Sequence, residues 1–228
     1  MTMAPEGKGV LLWAALLGVL GVSVSVAFFQ AMAVWIVLPS LIPLAFALHF
    51  FRDPERCSPD RSDIAVAPAD GRIIEVAEAR PDFLTGGQAN PGAAPSHIKV
   101  SIFMSPLNVH VNRIPAGGEV AGLHYQRGKF SGAFKGKASS ENERQYIRLN
   151  TSYGAMGCVQ VAGWLARRIV CHLKMGQQAA IGQRFGIIKF GSRVDLYLPK
   201  PCRLVVGMGQ RTKAGETIIA LFREEKSK

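Results

Sequence analysis

The hydrophobic pattern divides the chain into an apolar N-terminal block and a longer region of short alternating runs. Residues 10–51 contain no charged side chain. A helix that crosses a bilayer needs about 20 apolar residues, so the block is long enough for two helices. The sequence therefore predicts helices over residues 10–29 and 31–51, with Gln30 near the turn between them.

The length of this block favours a membrane anchor over a cleaved signal peptide, whose apolar core has only about 7–15 residues. Pro39 and Pro43 are expected to break or kink the second helix, so spanning helices and a shallow or re-entrant hairpin both stay open. Basic residues flank the block, with Lys8 before it and Arg52 and Arg56 after it. Because a hairpin places both flanks on one side, the positive-inside rule predicts a cell-membrane protein whose C-terminal domain is cytoplasmic.

The region after the block has the pattern of a β-rich domain. Short alternating runs are separated by glycine and proline, which predicts a mainly β fold, either a sandwich or barrel-like. Residues 1–51 are thus expected to form the anchor and residues 52–228 the β-rich domain. The predicted strands cover residues 72–76, 97–103, 108–114, 119–125, 145–149, 158–162, 194–198 and 204–206, and a further strand follows the turn at 213–216. Residues 163–174 are compatible with a strand or a short amphipathic helix, and the β-favouring run 169–171 favours the strand.

The formal net charge of +11 lies almost entirely after residue 51. A basic balance indicates either nucleic acid or an anionic membrane surface as the partner. The sequence has no nucleic-acid-binding motif, so behind an anchor the charge favours acidic lipid head groups. A basic face without a specific partner is the alternative.

The four cysteines do not form a metal-binding or disulfide pattern. They show no CxxC pair and no histidine at metal-ligand spacing, so the sequence predicts no metal site. On a cytoplasmic face they are expected to be reduced thiols without chemistry. They are Cys57, Cys158, Cys171 and Cys202.

A Gly-Ser pair interrupts residues 187–199, which would otherwise form one continuous strand. Glycine weakens a strand interior and marks a bulge, a bend or a close backbone approach. Gly191 has no side chain and leaves its carbonyl open to the hydroxyl of Ser192. Such an attack can break the peptide bond when strain, a base and an oxyanion donor assist. For the dipeptide alone, a bulge without chemistry is the alternative.

Four other segments precede this pair in a defined order. They are Phe-Phe-Arg-Asp-Pro-Glu-Arg at 50–56, Ala-Pro-Ala-Asp-Gly at 67–71, Met-Ser-Pro-Leu-Asn-Val-His-Val-Asn-Arg at 104–113 and Asn-Glu-Arg at 142–144. With Phe-Gly-Ser-Arg at 190–193, they resemble the phosphatidylserine decarboxylases, specifically the short membrane-anchored branch of that family. The resemblance covers nearly the whole chain after residue 50.

The resemblance implies a proenzyme that cleaves itself between Gly191 and Ser192 into a β chain (1–191) and an α chain (192–228). Ser192 then becomes a pyruvoyl group, which forms a Schiff base with the substrate and acts as the electron sink that PLP provides elsewhere. The implied reaction converts phosphatidylserine in the bilayer to phosphatidylethanolamine and CO2, without a metal or PLP. The α and β chains are expected to stay associated, and a homo-oligomer is left open.

The resemblance also implies roles for individual side chains. His110 matches the family's catalytic histidine and is expected to deliver a proton to the substrate. Asp70 matches the aspartate that assists the serine and is expected to orient a proton acceptor during self-cleavage. An ordinary Ala-Asp-Gly turn and a structural histidine are the alternatives from the residues alone. Lys129, Arg113 and Arg144 are candidates for binding the anionic head group.

Two positions depart from the pattern seen in other members. Arg113 stands where the longer branch has a second histidine, which leaves the self-cleavage base open. Arg193 stands where some members have a small hydroxyl residue. Two other classes of function are alternatives, a membrane-anchored zinc peptidase of the cell wall and a lipoyl- or biotinyl-like carrier domain. A peptidase requires clustered His and Asp ligands, and His110 has no second histidine near it.

Overall fold

A computed structural model describes residues 2–3, 7–28, 33–85, 96–128, 142–163, 168–189 and 192–222. The chain divides into two compact units, residues 1–55 and residues 56–228.

The N-terminal unit is a helical hairpin with a short β pair at its base. Its elements are β1 (Thr2–Met3), α1 (Lys8–Phe28), α2 (Ala33–Phe50) and β2 (Arg52–Asp53), and β1 pairs antiparallel with β2. The helices are antiparallel, because Gly7 lies against Phe51 and Gly21 lies near Ser40. A Cβ at Gly7 would lie 2.4 Å from the Phe51 ring, so the close approach requires glycine.

The second helix, α2, continues through Pro39 and Pro43. The break expected there is absent from α2, because each proline removes only one amide donor from a ladder that continues on both sides. Among the described residues, no helix is both long enough and apolar enough to cross a membrane. Gln30, predicted near the turn, lies outside the described residues.

The second unit is mainly β, as the punctuated pattern predicts. Its elements are β3 (Ile64–Val66), β4 (Gly71–Ala79), α3 (Asp82–Thr85), β5 (His97–Met104), β6 (Val111–Arg113), β7 (Gly118–Gln126), β8 (Arg144–Thr151), β9 (Gly154–Ala162), β10 (Arg168–Cys171), β11 (Gln178–Ala179), β12 (Arg184–Lys189), β13 (Ser192–Pro199), β14 (Arg203–Leu204), β15 (Arg211–Thr212) and β16 (Ile218–Leu221).

Three antiparallel sheets organise these strands. The largest curls into a half-barrel with the order β11-β7-β8-β9-β13-β5-β4-β15. Two three-stranded sheets have the orders β10-β12-β6 and β14-β16-β3. The predicted strands correspond to β4 to β10, β13, β14 and β16. β6 is shorter than predicted because Ser105 and Asn108 form a hydrogen-bonded turn, in which the Asn108 amide donates to the Ser105 carbonyl at 2.9 Å.

Alternation along β13 separates two faces of the half-barrel. Val194, Leu196 and Leu198 are fully buried and belong to the hydrophobic core. Arg193 and Asp195 lie on the opposite face, because successive strand residues point to opposite sides. Strand β13 therefore carries the core on one side and an ion pair on the other.

Residues 187–199 fold as two strands in different sheets. β12 ends at Lys189 in a three-stranded sheet, and β13 begins at Ser192 in the half-barrel. This confirms the interruption predicted at the Gly-Ser pair. Phe190 and Gly191, the first residue of the predicted cleavage site, lie outside the described residues.

Candidate active site

Ser192 begins β13 in the interior of the half-barrel and is fully buried. It pairs with Met104 of β5 on one side and with Ala162 of β9 on the other. Since Val194 faces the core, Ser192, two residues earlier, faces the same side. Its Oγ has no hydrogen-bond partner among the described residues. A buried polar group without a partner costs about 1–3 kcal/mol, so such a group commonly marks a functional position.

Two buried amides lie near Ser192. Gln160 precedes Ala162 by two residues on β9, and its Nε2 donates to Asn112 Oδ1 at 2.8 Å. The Nδ2 of Asn112 donates to the weak acceptor sulfur of Met104 at 3.7 Å. The Oε1 of Gln160 is buried and has no partner among the described residues. Near Ser192 there is thus an acceptor without a partner among the described residues, Gln160 Oε1, and a donor that has only a sulfur acceptor, Asn112 Nδ2.

Sequence reasoning missed Gln160 and Asn112 as site residues. The available signal was the alternation in the predicted strand 158–162, where Cys158 and Ala162 are core positions and Gln160 stands between them in the same phase. A polar residue at a core-facing position of a strand is an exception that calls for a functional or structural reason.

His110 is fully buried in the loop before β6. Its Nδ1 lies 3.0 Å from the Asn108 carbonyl oxygen, so in the neutral ring Nδ1 carries the proton and Nε2 is the basic nitrogen. The next residue, Val111, pairs with Ile187 of β12. Because β12 leads within a few residues to Ser192, this ladder places His110 beside the segment that contains the predicted cleavage site.

Asp70 lies just before β4 in a buried ion pair with Arg56. The Nη1 and Nη2 atoms of Arg56 donate to Asp70 Oδ1 and Oδ2 at 2.5 and 2.8 Å. The amide of Ala214 also donates to Oδ1, at 2.8 Å, and Arg56 Nη1 donates to the Ala214 carbonyl at 2.9 Å. Sequence reasoning did not assign Arg56 to the site, although the residue ends the first of the family segments.

Asp70 and Ser192 lie at the same end of the half-barrel. Arg72 of β4 and Arg193 of β13 pair with Phe103 of β5 from opposite sides. Strands β4 and β13 are therefore two strand spacings of about 4.8 Å apart, which places Asp70 and Ser192 roughly 10 Å from each other. A Cβ at Gly71 would lie 2.0 Å from the Phe103 carbonyl oxygen, so the glycine after Asp70 is required for β4 to begin here.

The three residues predicted to bind the head group do not form one cluster among the described residues. Arg113 is buried and donates from Nη1 to the Gly182 carbonyl at 3.1 Å. Arg144 pairs with Val161, the neighbour of Ala162, so its side chain lies on the face opposite to that of Ser192. Lys129 lies outside the described residues. The assignment of these three residues to substrate binding stays a prediction.

The structure gives Arg193, the second departure from the family pattern, a structural role. It is buried on the outer face of β13, where its Nε lies 2.8 Å from Asp195 Oδ1 and its Nη2 donates to Oδ2 at 3.0 Å. Because its side chain points away from the face of Ser192, it replaces a small residue without entering the site.

Three of the four cysteines have environments that disfavour reactivity. Burial raises the pKa of the thiols of Cys158, Cys171 and Cys202, so these groups are protonated at neutral pH. Cys57 is exposed. Within the described part of the chain, no three His, Cys, Asp or Glu side chains are grouped so that they could hold a metal ion.

Comparisons with known proteins identify the family. A family model described as phosphatidylserine decarboxylase matches residues 44–220. The chain is 47% identical over 181 residues to a phosphatidylserine decarboxylase proenzyme of Pelodictyon phaeoclathratiforme, covering 79% of this chain and 81% of the relative. The proenzyme of Chlorobaculum tepidum is 48% identical over 176 residues, 77% of each chain. That of Rickettsia africae is 47% identical over 188 residues, 82% of this chain and 79% of the relative.

These matches make the protein a decarboxylase. The chain belongs to the phosphatidylserine decarboxylase family. The resemblance carried by the five sequence segments is confirmed. Family membership also decides in favour of a decarboxylase over the zinc-peptidase and carrier alternatives.

Proposed function

We propose that this protein converts phosphatidylserine to phosphatidylethanolamine and CO2 after it has cleaved itself between Gly191 and Ser192. The names of the relatives support both the substrate and the proenzyme character. The observation that carries self-cleavage is the buried Ser192 hydroxyl, which has no hydrogen-bond partner among the described residues. It belongs to a residue directly bonded to the carbonyl that it would attack.

The proposed cleavage uses only atoms of the chain and one water molecule. Ser192 Oγ attacks the Gly191 carbonyl carbon, and the peptide C–N bond breaks as an ester forms. Elimination across the Cα–Cβ bond of Ser192 releases the Gly191 carboxylate and leaves dehydroalanine. Water then replaces the nitrogen, which leaves as ammonia, and the α chain begins with a pyruvoyl group.

The surroundings of Ser192 fit such a group. Once formed, it would supply a carbonyl electron sink for the loss of CO2. Asn112 Nδ2 would donate a hydrogen bond to its keto oxygen, because the acceptor of this amide in the structure is only a sulfur. Gln160 Oε1 is an acceptor without a partner among the described residues, so it would be available to a donor of the substrate. Met104 and Ala162, the register neighbours of Ser192, provide apolar walls.

His110 is proposed as the proton donor to the substrate. Its ring is held through Nδ1 by the Asn108 carbonyl, which fixes the direction of Nε2. A buried imidazole beside the strand that leads to Ser192 suits general acid catalysis, because a histidine ring can both donate and accept a proton.

Asp70 is proposed to support self-cleavage by holding the backbone around Ala214 in place. With Arg56 it binds both backbone groups of Ala214, a residue of the α chain once the chain is cut. Thr212 of the same chain donates from Oγ1 to the Ala69 carbonyl at 2.9 Å. These bonds, with β13 placed between β5 and β9, explain how the two chains would stay associated.

The protein is proposed to act at the cell membrane with the catalytic unit on the cytoplasmic face. The net charge of +11 favours an acidic lipid surface, and Leu12 and Trp13 of α1 are 62% and 70% exposed. Protease treatment of sealed vesicles is expected to cut the catalytic unit only when the cytoplasmic side is accessible. Cutting from the opposite side would contradict the assignment.

Intact mass spectrometry of the purified wild-type protein tests the proposed function. We expect two chains, one ending at Gly191 and one starting at residue 192 with a blocked N-terminus. The same sample should release CO2 from phosphatidylserine in mixed micelles. A single uncut chain with full decarboxylase activity would refute the cleavage mechanism.

A further inference from the structure

A pocket of about 470 Å³ opens at the end of the half-barrel that carries Ser192. Its polar lining includes Arg72, Arg211, Ser105 and Asn108, and its apolar lining includes Leu107. No acidic side chain is among the described residues that line it. The pocket is therefore electropositive.

The two arginines are direct neighbours in the sheet. Arg72 of β4 and Arg211 of β15 are register partners in an antiparallel pair, and both are exposed. Side chains that oppose each other in this way have Cβ atoms about 4.5–5.5 Å apart, and like charges there destabilise the pair. Neither guanidinium forms an ion pair or hydrogen bond among the described residues. An anion bound between them would relieve the repulsion.

The pocket lies on the outer face of the half-barrel and meets the reaction site at the strand end. Phe103 lines the pocket, and the next residue, Met104, pairs with Ser192. Asn108 also lines it, and its carbonyl oxygen holds His110 Nδ1. Arg72 and its register partner Phe103 lie on the outer face of the half-barrel, so a ligand whose anionic group lies at the arginines would reach the reaction site around the strand end at Asn108.

One exposed apolar side chain lines the pocket, and another lies in the turn that leads to Arg211. Leu107 is 67% exposed. Met208 is 71% exposed in the turn before β15, where the Gly209 amide donates to the Ile73 carbonyl at 2.8 Å. Cations beside exposed apolar groups suit the interface of a bilayer, where phosphates lie above acyl chains.

We propose that Arg72 and Arg211 bind the phosphodiester of the phospholipid substrate, while Leu107 and Met208 contact the lipid around it. The guanidinium groups match the phosphate oxygens in charge and in hydrogen-bonding geometry. This inference rests on the proposed function and names the residues that distinguish a phospholipid from free serine.

The double substitution Arg72→Gln and Arg211→Gln tests the inference. Self-cleavage should be as complete as in the wild type, because it needs no substrate. The KM for phosphatidylserine in mixed micelles should rise about tenfold or more, which corresponds to about 1.4 kcal/mol. The kcat should change little. Arg203→Gln is the matched control, since Arg203 is equally exposed but does not line the pocket, and its KM should equal the wild-type value.

A competition assay separates a lipid from free phosphate as the ligand. Phosphatidylglycerol, which carries the phosphodiester without serine, should compete with the substrate in the wild type and much less in the double variant. Inorganic phosphate at the same concentration should not compete. Equal competition by the two would assign the pocket to free phosphate and overturn the lipid assignment.

The outcomes distinguish this inference from the proposed function. A fully cleaved double variant with an unchanged KM overturns the phosphodiester site alone, whereas an uncut but active wild type overturns the cleavage mechanism. If the double variant does not fold, Arg211→Gln alone carries the test, because this residue is exposed on a two-residue edge strand. An unchanged KM in that variant also overturns the inference.

Discussion

Ser192→Ala is expected to give one uncut polypeptide with no decarboxylase activity. Alanine removes the only atom proposed to attack Gly191, so neither the cut nor the blocked α-chain terminus can form. The substitution should leave the fold intact, because Oγ has no hydrogen-bond partner among the described residues and the remaining methyl group fits the buried position. Denaturing electrophoresis, intact mass and thermal unfolding measure these three properties on one sample.

Ser101→Ala is the matched control for this prediction. Ser101 is also fully buried, on the neighbouring strand β5, and its Oγ donates to Glu75 at 3.2 Å. Its loss should lower stability, since a hydrogen bond is removed, yet cleavage and activity should persist. A cleaved Ser192→Ala chain would show that another nucleophile acts, and the assignment of Ser192 would be wrong.

Local patterns predicted most of the strands and an interruption at the point where the chain changes sheets. Alternation and turn residues are properties of short segments, so β4, β5 and β13 could be located from the sequence. The interruption at Gly191 and Ser192 could be predicted for the same reason, since glycine within an apolar run weakens a strand.

The partners of the site residues could not be predicted in this way. Arg56 and Asp70 belong to separate family segments, and nothing in their spacing indicates an ion pair. Arg72 and Arg211 become neighbours only through the register of β4 with β15, which joins residues far apart in the chain. Register is set by how the two strands pack against the core, and no short sequence pattern contains that information.

The ion pair between Arg56 and Asp70 shows what the aspartate contacts in a chain that has Arg113 in place of the second histidine. In this chain Asp70 has a bidentate arginine partner and also accepts a bond from Ala214. Arg113, at the position of the second histidine, donates to the Gly182 carbonyl. This arrangement supports the proposal that Asp70 assists self-cleavage by holding the segment around Ala214 in place.

The second large effect is expected at His110. His110→Asn retains a side-chain donor for the Asn108 carbonyl but lacks the nitrogen that corresponds to Nε2. If Nε2 delivers the proton to the substrate, kcat should fall by about 10²- to 10⁴-fold, the usual contribution of general acid catalysis, while KM stays near the wild-type value. The rate is measured with phosphatidylserine micelles and normalised to the cleaved fraction from denaturing gels.

His97→Ala provides the control for a buried histidine outside the site. His97 interacts with Ser96 Oγ at 2.8 Å and with the Ala155 carbonyl at 2.9 Å, at the other end of β5 from Met104. Seven residues of strand place it roughly 23 Å from the partner of Ser192. Its loss should lower the unfolding temperature and leave kcat per cleaved molecule unchanged. Wild-type kcat in cleaved His110→Asn would exclude His110 as the proton donor, because the folded, cut enzyme would then protonate its product without Nε2.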